Sequence, residues 1–159
     1  MKLKLIIGVL FLCLIVFLFL LWPRQVNYDS EGIKYNQSDN SFTDNVSIKI
    51  DGQINKKYFG AQEFQGRIYC DAIGLNGEYF NLLFDENNKS YLSIMKENGD
   101  TTEYGEIFSN KTMDELVVVK GDNILVFPAK NRDIAEATAT KFFKAEYEYH
   151  FNDQWCLPS

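Results

Sequence analysis

From Leu5 to Trp22 the chain runs for eighteen residues without a charge, and fifteen of them are Leu, Ile, Val or Phe. As a helix rising 1.5 Å per residue, such a run is about 27 Å long, close to the ~30 Å hydrocarbon core of a bilayer. At roughly −0.3 to −0.6 kcal/mol per apolar residue, its insertion is favourable by about 5 to 9 kcal/mol. Trp22 falls at the headgroup boundary, where an indole prefers to lie, and Pro23 ends the run. The expectation is a single N-terminal transmembrane helix, with residues 1–24 as the membrane anchor.

A cleaved secretory signal is the competing reading. Its apolar stretch is usually ~7–15 residues and ends in a small-x-small site. Here the run is longer, and "LLWPRQVNYDSEG" offers no such site. Cys13 lies mid-run behind a bulky Leu12, which also argues against lipoprotein processing. Lys2 and Lys4 precede the span, while Asp29 and Glu31 follow soon after Arg24. The excess of positive charge therefore predicts a cytoplasmic N-terminus and an extracytoplasmic domain at the cell membrane.

Beyond residue 24 the chain holds 13 basic and 22 acidic residues, a net charge of −9. Nucleic acid and anionic lipid are poor partners for such a balance, since both need clustered Lys and Arg. Aromatic residues make up 15% of the whole chain, which argues against general disorder. Residues 25–44, "QVNYDSEGIKYNQSDNSFTD", mix polar and turn-forming types with little periodicity and read as a stalk. The extracytoplasmic domain is then 45–159. Its two cysteines, Cys70 and Cys156, are candidates for a disulfide closing a loop of about 87 residues; on the chain-entropy model that contributes roughly 4–5 kcal/mol. Two separate buried thiols are the alternative.

Turn signals punctuate this domain. Val46, Ile48 and Ile50 alternate before Asp51-Gly52, a two-residue hairpin signal, and Asn76-Gly77 repeats the pattern. Phe64, Gly66, Ile68, Cys70 and Ala72 share one strand face, so Cys70 should point to the packed side. "SYLSIMK", "TTEYGEIF" and "DELVVVK-GDN-ILVFP" supply further strands, and the unbroken Leu116–Val119 run suggests a strand covered on both sides. After Pro128, Asn131 can cap a helix whose Ile134, Ala135, Thr138, Ala139, Phe142 and Phe143 gather on one side. That face must lie on a sheet. The tail "EYHFNDQWCLPS" is expected to return along the domain. The predicted fold is α+β, mainly β: an antiparallel meander of about eight strands with one C-terminal amphipathic helix packed on it.

The blocks "FQGRIYCD", "YGEIFSNKTMDELVVV" and "FPAKNRDIAEATA" resemble segments of uncharacterised single-pass membrane-anchored proteins of Gram-positive bacteria, which also start a "PA-x-NR" helix after a final strand. The resemblance covers roughly residues 46–143. It implies this layout and carries no activity or site residues.

Familiar catalytic patterns are missing. His150 is the one histidine, and H-E-x-x-H, G-x-S-x-G, the phosphate-binding Walker loop and G-x-G-x-x-G do not occur, so no metal, cofactor or catalytic residue is indicated. "DENNKSYLSIMKE" departs from the calcium loop at Lys89 and Ser90. The carboxylate pairs Asp85/Glu86 and Asp100/Glu103 fall in turns, where turn chemistry accounts for them. The leading expectation is a non-enzymatic module of the cell envelope that binds a protein or cell-wall component through exposed Tyr69, Tyr79 and Tyr91. The alternatives are a small hydrolase using loop carboxylates, and an accessory subunit of a membrane transporter or sensor.

Overall fold

The computed structural model describes residues 7–8, 11–12, 22–39, 41–57, 61–95 and 100–153; the side chains of 95 and 145–153 lie outside the description. Its strands are β1 (Arg24–Asn36), β2 (Thr43–Lys56), β3 (Gln62–Cys70), β4 (Leu75–Phe84), β5 (Lys89–Met95), β6 (Thr101–Ser109), β7 (Leu116–Lys120) and β8 (Asn123–Phe127). One long helix, α1 (Arg132–Asp153), follows. Among the described residues no helix is long and apolar enough to cross a membrane. Most of the expected span, Cys13 included, lies outside those residues.

The strands form one antiparallel sheet in the order β4-β3-β2-β1-β8-β7-β6-β5. Every strand neighbours its successor except across the β4–β5 seam, and the first strand pairs with the last. All eight strands send side chains into one inner core, among them Val26, Ile48, Phe64, Phe80, Leu92, Ile107, Leu116 and Leu125. The sheet is thus rolled until its edges meet, and the rings of Phe80 and Tyr104 touch edge-to-face with centroids 6.2 Å apart. Met113, at φ 57° in the 110–115 loop, is also buried in this core. The loop is tied by Asn110 and Thr112, whose side chains donate to Asp114 at 2.5 and 2.6 Å.

A second core lies outside the roll. Ile33, Tyr35, Phe108, Val117, Ile124 and Val126 meet Ala135, Ala139 and Phe142 of α1. Phe143 adds an edge-to-face contact with Phe108 at 5.5 Å. Leu116 and Val118 face the inner core while Val117 lies under the helix, so the covered-on-both-sides expectation for this run is met. Asn131 caps α1 as expected, accepting from the Ile134 amide at 3.0 Å. Ile134 itself is 45% exposed and does not join the packed face. The helix runs to Asp153, well past the Phe face, so residues 148–153 of the stretch expected as a returning tail are helical, and the rest of it lies outside the described residues.

Three expectations are corrected. Residues 25–36 are not a stalk but most of β1, which pairs with both β2 and β8. Its apolar residues change phase, which hides the alternation: Val26 and Tyr28 face the inner core, but Ile33 and Tyr35 face α1. Asp51-Gly52 is not a turn, because β2 runs straight through it. Gly52 stands opposite Gly66, and a Cβ on it would come within 2.5 Å of the Gln65 carbonyl and 2.7 Å of the Phe64 ring. The β3–β4 connection turns at Gly74 (φ 80°) after a short 3-10 turn at Asp71–Ile73, upstream of Asn76-Gly77.

Candidate functional site

On the first half of β1 and on β2–β4 the outer face is left open by α1, and strand register aligns its side chains in rows. Gln25 faces Gln53, Gln53 faces Gln65, and Gln65 faces Asn81, so four carboxamides cross four strands in one line. The next row is Asn27, Asp51, Arg67 and Tyr79, and the one after it brings Asp29, Lys49 and Tyr69 together. Period-two alternation produces this arrangement, since Ile50, Ile54, Phe64, Ile68, Phe80 and Leu82 take the opposite, inner face. Gln25, Asp51, Gln53, Gln65, Arg67 and Tyr79 line a shallow groove of about 260 Å³ over the backbone of Gly52 and Gly66.

Local contacts hold the groove's polar groups in place. Gln53 Nε2 donates to Gln65 Oε1 at 3.4 Å. Beside this row, Glu63 pairs with Lys57 at 2.8 Å. That contact, reinforced by the side chains of Gln65 and Asn81, holds its carboxyl below the usual carboxylate range. Asn76-Gly77, which looked like a turn, instead seats an aromatic ring. A Cβ on Gly77 would lie 2.3 Å from Tyr69 Cε1, so only glycine lets the Tyr69 ring lie against the strand. Tyr69 is 36% exposed, Tyr79 63% and the neighbouring Leu83 61%.

Tyr69 and Tyr79 therefore share one face, while Tyr91 does not join them. Tyr91 stands on β5 beyond the seam, with the Lys89 ammonium 5.5 Å from its ring centroid. It belongs to a separate cleft of about 520 Å³ with Glu103, Glu106 and Lys120. Glu106 there is ion-paired with Lys89 at 3.1 Å. Of the carboxylates considered for hydrolysis, Asp85 caps its own turn, accepting from the amides of Asn87 and Lys89 at 2.9 Å each. Asp100 and Glu86 are not part of the cleft. Among the described residues no three His, Cys, Asp or Glu side chains cluster to hold a metal.

Cys70 is 2% exposed at the end of β3 and faces the inner core, as its strand phase predicts. Burial pushes its thiol pKa up. Cys156, its candidate disulfide partner, lies outside the described residues, as does the side chain of His150. Trp22 is 77% exposed and packs into neither core. The register rows were missed in the sequence because they depend on which strands pair, although the polar phase of each strand was visible. No protein-family model, curated protein or solved structure matches the chain.

Proposed function

We propose that the chain is a membrane-anchored, non-enzymatic binding module of the cell envelope. Residues 5–22 are its anchor, the β-rich domain lies outside the membrane, and the outer face of β1–β4 takes an envelope component. The observation that carries this reading is the face itself: Leu83 and Tyr79 stand exposed on either side of a carboxamide row that α1 leaves uncovered, and Tyr69 follows one row beyond Tyr79. Exposed tyrosines supply large contact area with a polar tip. The eighteen-residue apolar run and exposed Trp22 support the anchor.

Two measurements on intact cells test the reading. A photo-reactive amino acid at position 79 should cross-link to an envelope component, whereas one at position 134 on α1 should not. Externally added protease should degrade the domain and leave a membrane-embedded fragment. A domain recovered free in the medium, or shielded from protease in intact cells, would refute the anchored topology. Equal cross-linking from both positions would refute the surface.

A further inference from the structure

Resting on that reading, we propose that the ligand is an uncharged glycan chain, hydrogen-bonded by the Gln25–Gln53–Gln65–Asn81 row and stacked on Tyr69 and Tyr79. Each carboxamide offers two donors and an acceptor, a mixture that suits hydroxyl groups, which also donate and accept. Neighbouring strands lie ~4.8 Å apart, so a row crossing four strands is about 14 Å long, the reach of two or three sugar rings. The exposed Tyr79 stands in the next row and the Tyr69 ring, laid over Gly77, in the row after it, so flat apolar surface continues from the carboxamides along the strands, as the C–H faces of successive pyranoses require.

Charge and polarity select this ligand over others. Asp51 faces Arg67, and Asp29 reaches Lys49 in register, so opposite charges balance across the face. An anionic polymer would find no basic patch here, and the chain carries a net charge of −6. A protein partner would be met by a continuous apolar centre with a polar rim. Here the large apolar side chains are two tyrosines and Leu83, with amides among them. The groove is shallow, so each contact is weak and a long repeating polymer gains from several copies binding at once.

The test is ligand-observed NMR titration of the full chain in lipid nanodiscs with two uncharged probes, chitohexaose and cellohexaose. Polyglutamate serves as the anionic comparison. Binding of at least one uncharged probe is expected, with a Kd of about 1 mM or tighter. Gln65→Ala and Tyr79→Ser, both on the outer face, should each weaken it by about tenfold, with Ile134→Ala unchanged. Circular dichroism verifies that the variants fold. Failure of both uncharged probes, binding indifferent to both face variants, or binding of polyglutamate alone would overturn the proposal. If the position-79 cross-linker then captures a protein, the module reading stands and the glycan is wrong. If it captures nothing, both fall.

Discussion

Gly52 and Gly66 face each other on the inner side of β2 and β3, and replacing either with alanine is expected to destabilise the domain. The sign is informative, because glycine inside a strand is ordinarily worse than alanine by about 0.5–1 kcal/mol. An unobstructed Gly52→Ala would therefore stabilise. Here the added methyl would sit 2.5 Å from the Gln65 carbonyl, 2.7 Å from the Phe64 ring and 2.8 Å from the Gly66 Cα. Gly66→Ala meets the Asp51 carbonyl at 2.4 Å and the Gly52 Cα at 2.5 Å. Apart from the Phe64 ring, these are backbone atoms in a hydrogen-bonded ladder and cannot swing aside. Overpacking of this kind costs about 1–3 kcal/mol; set against the gain of about 0.5–1 kcal/mol in chain stiffness, its midpoint leaves a net loss of about 1 kcal/mol. Because both methyls force the same pair of strands apart, the double variant should lose less than the two single losses added. Urea unfolding of the full chain in detergent micelles, followed by circular dichroism, reads this directly. Gly74→Ala is the internal comparison: nothing lies within 4 Å of its added methyl, so only its φ of 80° counts against it. A Gly52→Ala protein as stable as the parent, or more so, would show that the two strands do not meet in this register.

Arg132→Met should cost about 2–3 kcal/mol in the same unfolding assay, since its guanidinium donates to the carbonyls of Asn36, Asp39 and Phe42 at 3.2, 3.2 and 3.3 Å. Arg132→Lys should recover only part, because an ammonium cannot reproduce that fork. For Asp114, hydrogen bonds from Thr112 and Asn110 hold the carboxyl below its ordinary value of 3.8. A depressed carboxyl stabilises the fold above the unfolded pKa, and that contribution is lost as pH falls through the folded one. Asp114→Asn should remove this part of the acid-side decline in stability, measured as unfolding midpoint against pH. The Cys70 thiol, buried and raised in pKa, should resist maleimide in the native protein and react once it is unfolded. Peptide mapping without reduction then reports whether Cys70 and Cys156 are joined.

Strand phase was legible in the sequence wherever one face of a strand stays on one side of a core. Phe64, Ile68 and Cys70 alternate cleanly for that reason, and the helix start at Asn131 followed from its own capping chemistry. Legibility failed where tertiary contact changed the meaning of a local signal. β1 has an inner core beneath its first half and a helix over its second, so its apolar residues switch parity and looked unpatterned. The expected count of eight strands matches the structure through two opposite errors, since two expected strands merge into β2 and the supposed stalk supplies β1. Glycine was the least faithful guide. Beside Asp51 and Asn76 it suggested turns, yet at Gly52 it permits close approach of strands and at Gly77 it makes room for the Tyr69 ring. The carboxamide row is a property of pairing, and one strand's sequence holds only a single member of it.

β1 begins at Arg24, so one residue, Pro23, separates it from Trp22. One extended residue spans at most about 3.6 Å. On the proposed anchor the domain has no tether on which to sweep through the space above the lipid; its footing is the headgroup layer itself. The 110–115 loop, beside the first residues of β1, becomes part of that footing. A ligand must then come down to the bilayer surface to be caught, which favours material already lying alongside the membrane over anything held at arm's length.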